Sequence, residues 1–494
     1  MRTWRAACAA SCAAVLAANV ALLRVPRTPA WDDAWYLELS FRLFYALKSF
    51  KLASAAAIFA SAFRIKAPLI IVLPLPLYVV LGPSEGIAPW ANQPLLVLTW
   101  YAVYRIGRAL YSENAGWAAA AVCALTPILY GLSRYFMVET LLTALTACLV
   151  WAAVEARPRD GRDELRGALL GLGLLAKSIF PLYILGPVWM SRRALVPGWK
   201  RSLAVALAVA ATWYAFNLVY VVGFALSAGF GSIGRDYGSY SAVAVAHFGA
   251  TILRDGMSWP GAAALLVLFA ASALSRKKAP TAPADRLIAS WLALPLFAVA
   301  FGVNKDVRYV APALPALAVA AGAAAAALPR RAGPALAALL LAPLGMLALQ
   351  TAGLAQPLLY NGPSRESGWD RAALVDAVSR HAGPRSVVAV ALEDRLLNAN
   401  NLASLSAAEG RPASFINLGY AQPSADGALI RLKDKGADML VLVDGDPDGE
   451  PPAFLNRADD GLRWMVEAGK LRAALLESGP VAQGVSFRLY AIKP

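Results

Sequence analysis

AACAASCAAVLAANVALLRVPRTPAWDDAWY, residues 6–36, holds the pattern that decides the fold. An alanine-rich apolar run from Ala6 to Leu23 follows two arginines, Arg2 and Arg5. It gives way to Arg24 and Arg27, and then to an acidic pair, Asp32–Asp33, flanked by Trp31, Trp35 and Tyr36. An 18-residue apolar run with basic residues on its N-terminal side is long enough to cross a bilayer. Read as a retained first span, it leaves the acidic pair just outside the far face. A signal peptide is the competing reading of the same residues.

Working outward, further runs of spanning length recur at approximately 90–111, 116–132, 137–154, 165–179, 180–191, 202–224, 259–275, 287–303, 307–328 and 333–352. Pro181 divides the stretch 165–191, which reads as one helix, two short helices or a re-entrant hairpin. Composition agrees with this picture. Hydrophobic residues make up 59% of the 494 and charged ones 16%, against about 25% charged in soluble domains. Mean hydropathy is +0.54. The net charge of +15 does not gather on one polar segment, and no zinc-ligand or RNA-binding signature is present, which argues against a nucleic-acid partner. Instead the basic residues sit in alternate short loops: Arg2/Arg5, Arg105/Arg108, Arg157/Arg159/Arg162/Arg166, Arg192/Arg193/Lys200/Arg201, Arg276/Lys277/Lys278/Arg286 and Arg330/Arg331. By the positive-inside rule these loops are cytoplasmic. The N-terminus is then cytoplasmic, and the segments 25–89, 133–136, 223–258, 304–306 and the C-terminal tail are external. The expected architecture is therefore a polytopic α-helical membrane protein of about 11 spans. A transmembrane domain covers 1–355, and a C-terminal soluble α/β domain covers 360–494.

The first outer loop, 25–89, carries Trp35, Leu39, Leu43, Leu47 and Phe50 at three- and four-residue steps, with Glu38, Arg42, Lys48 and Lys51 between them. That spacing predicts an amphipathic helix lying in the membrane interface. Ala67–Leu81 is too short to span and is interrupted by Pro68, Pro74 and Pro76. Beyond Tyr360 the chain becomes mixed and charged. Strands are expected at Ser386–Leu392, Ser414–Leu418, Met439–Val443 and Ser486–Ile492, and helices at Asp370–His381, Asp394–Ala408, Ala425–Lys435 and Leu462–Glu477. This alternation predicts a largely parallel sheet. The cysteines, Cys8, Cys12, Cys123 and Cys148, all lie in apolar runs, so the tail has no disulfide framework.

Polar residues at the outer ends of spans are the candidates for chemistry. Asp32 and Asp33 can act as a base, hold a divalent cation or cap a helix. Arg134 and Glu139 mark the junction Ser133–Glu139, as functional groups or as an ion pair tying two spans. Lys305 and Arg308, in Asn304-Lys305-Asp306-Val307-Arg308-Tyr309, suit a phosphate contact or headgroup snorkelling, and Lys66 shares that choice. Tyr36 and Tyr309 adjoin these junctions as candidate cavity residues. His247 and His381 suggest no site. The acidic run Asp444–Glu450 opens like a calcium loop, but Leu455 holds its twelfth position, so it reads as a turn.

Taken in order, Asp32-Asp33-Ala34-Trp35-Tyr36, Lys66-Ala67-Pro68-Leu69, Tyr104-Arg105-Ile106-Gly107-Arg108, Pro127, Ser133-Arg134, Glu139 and Arg308-Tyr309-Val310 with Pro312 and Pro315 resemble the C-type superfamily of polyprenyl-phosphate-dependent glycosyltransferases. The protein mannosyltransferase and lipid A aminoarabinose transferase families are the groups most similar in motif order. The resemblance covers roughly residues 1–350. It implies an inverting transfer of sugar from a polyprenyl-phosphate donor to a glycan, lipid or protein acceptor, at the outer face of a bacterial-type inner membrane. It also implies that Asp32 is the catalytic base and that Lys66 contacts the carrier phosphate. Ala67 stands where the family has proline, and Asp33 where glutamate is frequent. Glu139, Arg134, Lys305 and Arg308 join the expected site on position and charge. No nucleotide cofactor is implied, and a divalent cation stays open. A transporter or lipid flippase is the reading from another functional class.

Overall fold

The computed structural model describes residues 2–157, 161–231, 239–275, 282–355, 360, 369–383, 385–411, 413–418, 424–445 and 455–493. Arg159, Arg276, Lys277, Lys278 and the greater part of the acidic run, 446–450, lie outside the described residues. The chain divides into two compact units. One comprises Met1–Val25, Phe59–Ile70 and Pro89–Pro363; the other comprises Pro26–Ile58, Ile71–Ala88 and Ser364–Pro494.

The first unit is helical. Among the described residues, five helices are long and apolar enough to cross a membrane: Trp4–Leu23, Arg192–Ala228, Pro283–Ala300, Val307–Ala327 and Gly333–Thr351. The pair Ala242–Gly256 and Trp259–Leu274, bent by 97°, makes a sixth if it counts as one span. Shorter apolar helices include Val138–Val154 and Phe180–Met190. One expected span is broken where proline forbids continuity. The run 116–132 is two helices, Glu113–Ala124 and Pro127–Leu132, because Pro127 cannot supply the next backbone donor. Ser112 caps the first of these by accepting from the Ala115 N–H. The stretch 165–191 resolves into two helices, Asp163–Ala176 and Phe180–Met190, parted by Lys177-Ser178-Ile179. The Phe180 ring turns back onto Gly173, where a Cβ would lie 2.2 Å from it.

Small residues let these helices approach closely, as packing in lipid requires. A Cβ on Gly116 would lie 2.5 Å from the Tyr104 carbonyl oxygen, and one on Gly322 only 2.3 Å from that of Ala115. Gly107, in the arginine-flanked motif, faces Gly116 directly.

The second unit is built on a five-stranded sheet in the order β2-β1-β3-β5-β4. The strands are β1 (Val387–Val390), β2 (Ser414–Asn417), β3 (Met439–Asp444), β4 (Arg472–Ala482) and β5 (Val485–Lys493). β2, β1 and β3 are parallel, whereas β5 pairs antiparallel with both β3 and β4. The sheet is thus mixed, where the sequence suggested a largely parallel one. The reason lies in the stretch Leu462–Glu477, expected to be helical throughout. Its helix, Asp459–Glu467, stops before Gly469 at φ 67°, and the remainder begins β4. β4 then hairpins into β5 through Gln483–Gly484, with Gly484 at φ 73°.

The helix expected in the first outer loop is present as Asp32–Lys48. It is apolar on two sides. Tyr36, Leu37, Phe41 and Phe44 are buried, while Leu47 on the stripe read from sequence is 38% exposed and Phe50, just beyond, is 88% exposed. The buried face packs on the helix Ala399–Ala408 of the C-terminal segment.

Candidate active site

In the first unit Lys177, Arg308 and Tyr309 gather around one buried carboxylate. Glu139 opens the helix Val138–Val154 and is 1% exposed. Lys177 Nζ donates to its Oε1 at 2.8 Å, and Arg308 Nε lies 3.9 Å from the same oxygen. Arg308 also pairs with Asp306 at 2.8 Å. The Tyr309 ring is near both cations, its centroid 4.5 Å from Lys177 Nζ and 5.4 Å from the Arg308 guanidinium carbon. The Tyr183 hydroxyl fixes this segment by donating to the Tyr309 carbonyl at 2.8 Å. Lys177 and Arg308 thus share the Tyr309 ring and the buried Glu139 carboxylate, with Asp306 as a second acidic partner of Arg308. Beside them Glu139, Thr140, Thr99 and Thr143 line a small cavity, in which Glu139 Oε2 and Thr140 Oγ1 have no hydrogen-bond partner among the described residues.

The expected Arg134–Glu139 pair is not what ties this junction. Arg134 instead donates to Asn19 Oδ1 at 2.9 Å and to the Tyr360 carbonyl at 3.1 Å. Asn19 in turn donates to Gln93 and Ser133, a fully buried polar network. Lys305 is spent on the carbonyls of Ser239 and Gly302, so it braces its loop. Lys66 is partly exposed, and Ala67 beside it packs with Leu175, Trp213 and Val221.

The sequence reading did not single out Lys177, hidden in the doubtful stretch 165–191. Its signal was available: a lysine in the middle of an apolar run is costly unless paired or functional. Nor did it single out Arg254 and Asp255, paired at 2.7 Å on the five-residue π-helical turn Ile252–Gly256. π-turns occur frequently at functional positions. Gly256, at the end of this turn, approaches Val307, next to Arg308.

The second unit holds the acidic pair. The helix begins at Asp32 itself, and the preceding Trp31 makes no side-chain cap, so neither aspartate is the cap that sequence suggested. The two carboxylates differ in environment. Asp33 is 2% exposed and forms an ion pair with Arg27. Asp32 is partly exposed. Tyr36 is buried at 4%. Among the described residues no three His, Cys, Asp or Glu side chains converge as metal ligands.

A family model described as dolichyl-phosphate-mannose-protein mannosyltransferase matches residues 88–224, which include Arg134, Glu139 and Lys177. The whole fold is shared with ArnT from Cupriavidus metallidurans in its apo state, with a TM-score of 0.64 and 14% identity over 99% of this chain and 98% of that one. The chain resembles the C-type polyprenyl-phosphate-dependent glycosyltransferases in motif and in fold. The same ArnT bound to undecaprenyl phosphate matches with a TM-score of 0.63, at 13% identity and with the same coverage. Arabinofuranosyltransferase AftD from Mycobacteria matches with a TM-score of 0.54 and 15% identity, over 100% of this chain and 40% of its own. The oligosaccharyltransferase of Archaeoglobus fulgidus matches at 0.52 and 12% identity, over 87% and 68%. No curated protein matches the chain by sequence. With five or six helices of spanning length among its described residues, the chain is a multipass membrane protein.

Proposed function

We propose that the chain transfers a sugar from a polyprenyl-phosphate carrier to an acceptor hydroxyl, with inversion, at the outer face of a bacterial-type inner membrane. The observation that carries this reading is the buried Glu139 holding Lys177 and Arg308 against Tyr309. When the glycosidic bond to the carrier breaks, the lipid phosphate leaves with an extra negative charge. Cations fixed in advance stabilise that charge without reorganising as it develops. Lys66, Lys177, Arg254 and Arg308 supply them, while Glu139 places Lys177 and limits the repulsion between the cations. Asp32 takes the proton from the acceptor hydroxyl as its oxygen attacks the anomeric carbon. Asp33, neutralised by Arg27, holds the helix start. The topology of about 11 spans with an external C-terminal domain follows from the alternating basic loops and is part of the same proposal.

The test is mass spectrometry of polyprenyl-phosphate lipids in cells lacking the protein, complemented with wild type or Asp32→Asn. A monosaccharide-linked lipid that accumulates in the null and the Asn variant, and clears with wild type, supports the transfer and the role of Asp32. Clearance by folded, membrane-inserted Asp32→Asn removes the base assignment. No lipid change in the null removes the transferase reading in favour of transport.

A further inference from the structure

The backbone entering the acidic helix is bent against its own preference. Trp31 has φ 40° and ψ −106°, a left-handed conformation that a bulky side chain rarely adopts. Such a conformation persists only where surrounding contacts over-determine it. Two hydrogen bonds meet on the Trp31 carbonyl oxygen. One comes from the Trp35 N–H at 2.9 Å, and the other from the Asn400 side-chain amide at 3.2 Å. The peptide plane that carries this oxygen also carries the Asp32 nitrogen. Holding the oxygen therefore holds the start of Asp32.

Asn400 can do this because its own helix is anchored to the first outer loop along its length. Ala399–Ala408 is started by a capping box, Asn398 with Asn401. Ser404 Oγ donates to Glu85 Oε1 at 2.7 Å. Arg371 grips the same carboxylate, with Nη2 2.9 Å from Oε2, and also donates to the Asn401 carbonyl at 3.2 Å. At the far end the Tyr45 hydroxyl donates to the Ala408 carbonyl at 2.6 Å. Asn400 itself is only half-buried, so its amide is not needed to fill a core.

We propose that Asn400 is a positioning residue for Asp32: the α/β segment of the chain sets the direction of the carboxylate through the Trp31 carbonyl. The proposal rests on Asp32 being the base, as proposed above. It gives the C-terminal segment a direct part in the reaction, distinct from covering a cavity or touching acceptor.

Asn400→Ala removes the amide and improves helix propensity, so Ala399–Ala408 is retained. Full-length variants are reconstituted in membrane vesicles from cells lacking the protein, which retain the acceptor. They are supplied with the sugar-linked lipid that accumulates in those cells, and release of free polyprenyl phosphate is followed by mass spectrometry. The expected result is a roughly ten-fold lower rate at saturating donor, because small misplacement of a reacting group is costly. The half-saturating donor concentration and the melting temperature stay unchanged. Asn400→Gln, which keeps an amide donor on a longer arm, recovers part of the rate. Wild-type turnover by Asn400→Ala while Asp32→Asn is inactive overturns the positioning role and leaves the base assignment intact. A rate loss that tracks a lowered melting temperature, or a changed half-saturation alone, also overturns it. Wild-type turnover by Asp32→Asn instead removes the base assignment, and the positioning role with it.

Discussion

Lys177→Met separates the electrostatic role of the buried cluster from its structural one. The substitution keeps the length of the side chain and removes its charge, leaving Glu139, 1% exposed, without the partner at 2.8 Å. Stripping one partner from a buried pair costs about 3–5 kcal/mol. Here the lysine side chain is 21% exposed and Arg308 stands 3.9 Å from the same oxygen. Both facts lower the expectation to about 2–3 kcal/mol. Thermal unfolding in detergent should register that as a drop of several degrees. Removing both charges at once, in Lys177→Met with Glu139→Gln, should restore most of the loss, since replacing a whole buried pair is often neutral. Affinity for undecaprenyl phosphate should behave differently. A charge-assisted contact contributes about 1.5–3 kcal/mol, so the single variant should bind roughly ten-fold or more weaker. The double variant should remain weak. Titrations of purified protein with undecaprenyl phosphate, read by native mass spectrometry, give that comparison. If affinity recovers together with stability in the double variant, or never falls in the single one, Lys177 is a structural partner only and the anion-site reasoning is wrong.

Two other expectations follow from other parts of the molecule. Gly322→Leu forces a Cβ to within 2.3 Å of the Ala115 carbonyl oxygen and should destabilise the helical unit by at least about 1–3 kcal/mol. Gly345→Leu, where a Cβ meets nothing within 4 Å, is the control that should leave the melting temperature unchanged. In the α/β segment, burial pushes the Glu393 carboxyl up to about 8, against the opposing pull of Arg431. A carboxyl raised in the folded state stabilises fully below its unfolded range, and that contribution is lost as pH rises to about 8. The urea midpoint of this segment should therefore fall between pH 6 and pH 8 in the wild type. It should stay level in Glu393→Gln; equal wild-type midpoints at the two pH values would refute this.

The parts of the molecule governed by local rules were readable from sequence. Apolar runs located helices, Pro181 marked a break, and the strands β1, β2 and β3 announced themselves as short apolar runs between turn residues, whereas the break at Pro127 inside 116–132 was not read. Leu462–Glu477 misled because Leu462, Met465 and Val466 fit a helical period while Gly469, the stop signal, stands in the middle. Lys177 stayed hidden for a different reason. Its importance comes from Glu139, 38 residues earlier, and Arg308, far later, and no local pattern records such a meeting. The same holds for Arg134, whose partner Asn19 is 115 residues away. The grouping of the first outer loop with the C-terminal sheet rests on side-chain bonds that sequence spacing does not encode.

That grouping also has a temporal side. Tyr45 waits 363 residues for the carbonyl of Ala408, and Glu85 waits 286 for Arg371. At about 5–20 residues per second of synthesis, the loop carrying Asp32 spends roughly 15–75 seconds without the segment that braces it. During that interval the helical unit encoded between them can already be assembling while Trp31, at the start of the acidic helix, lacks Asn400 and Glu85 lacks Ser404 and Arg371. On the proposed role of Asn400, bracing of Asp32 is thereby tied to synthesis of the sheet-bearing segment, so a molecule cut short before it carries that carboxylate on an unbraced loop.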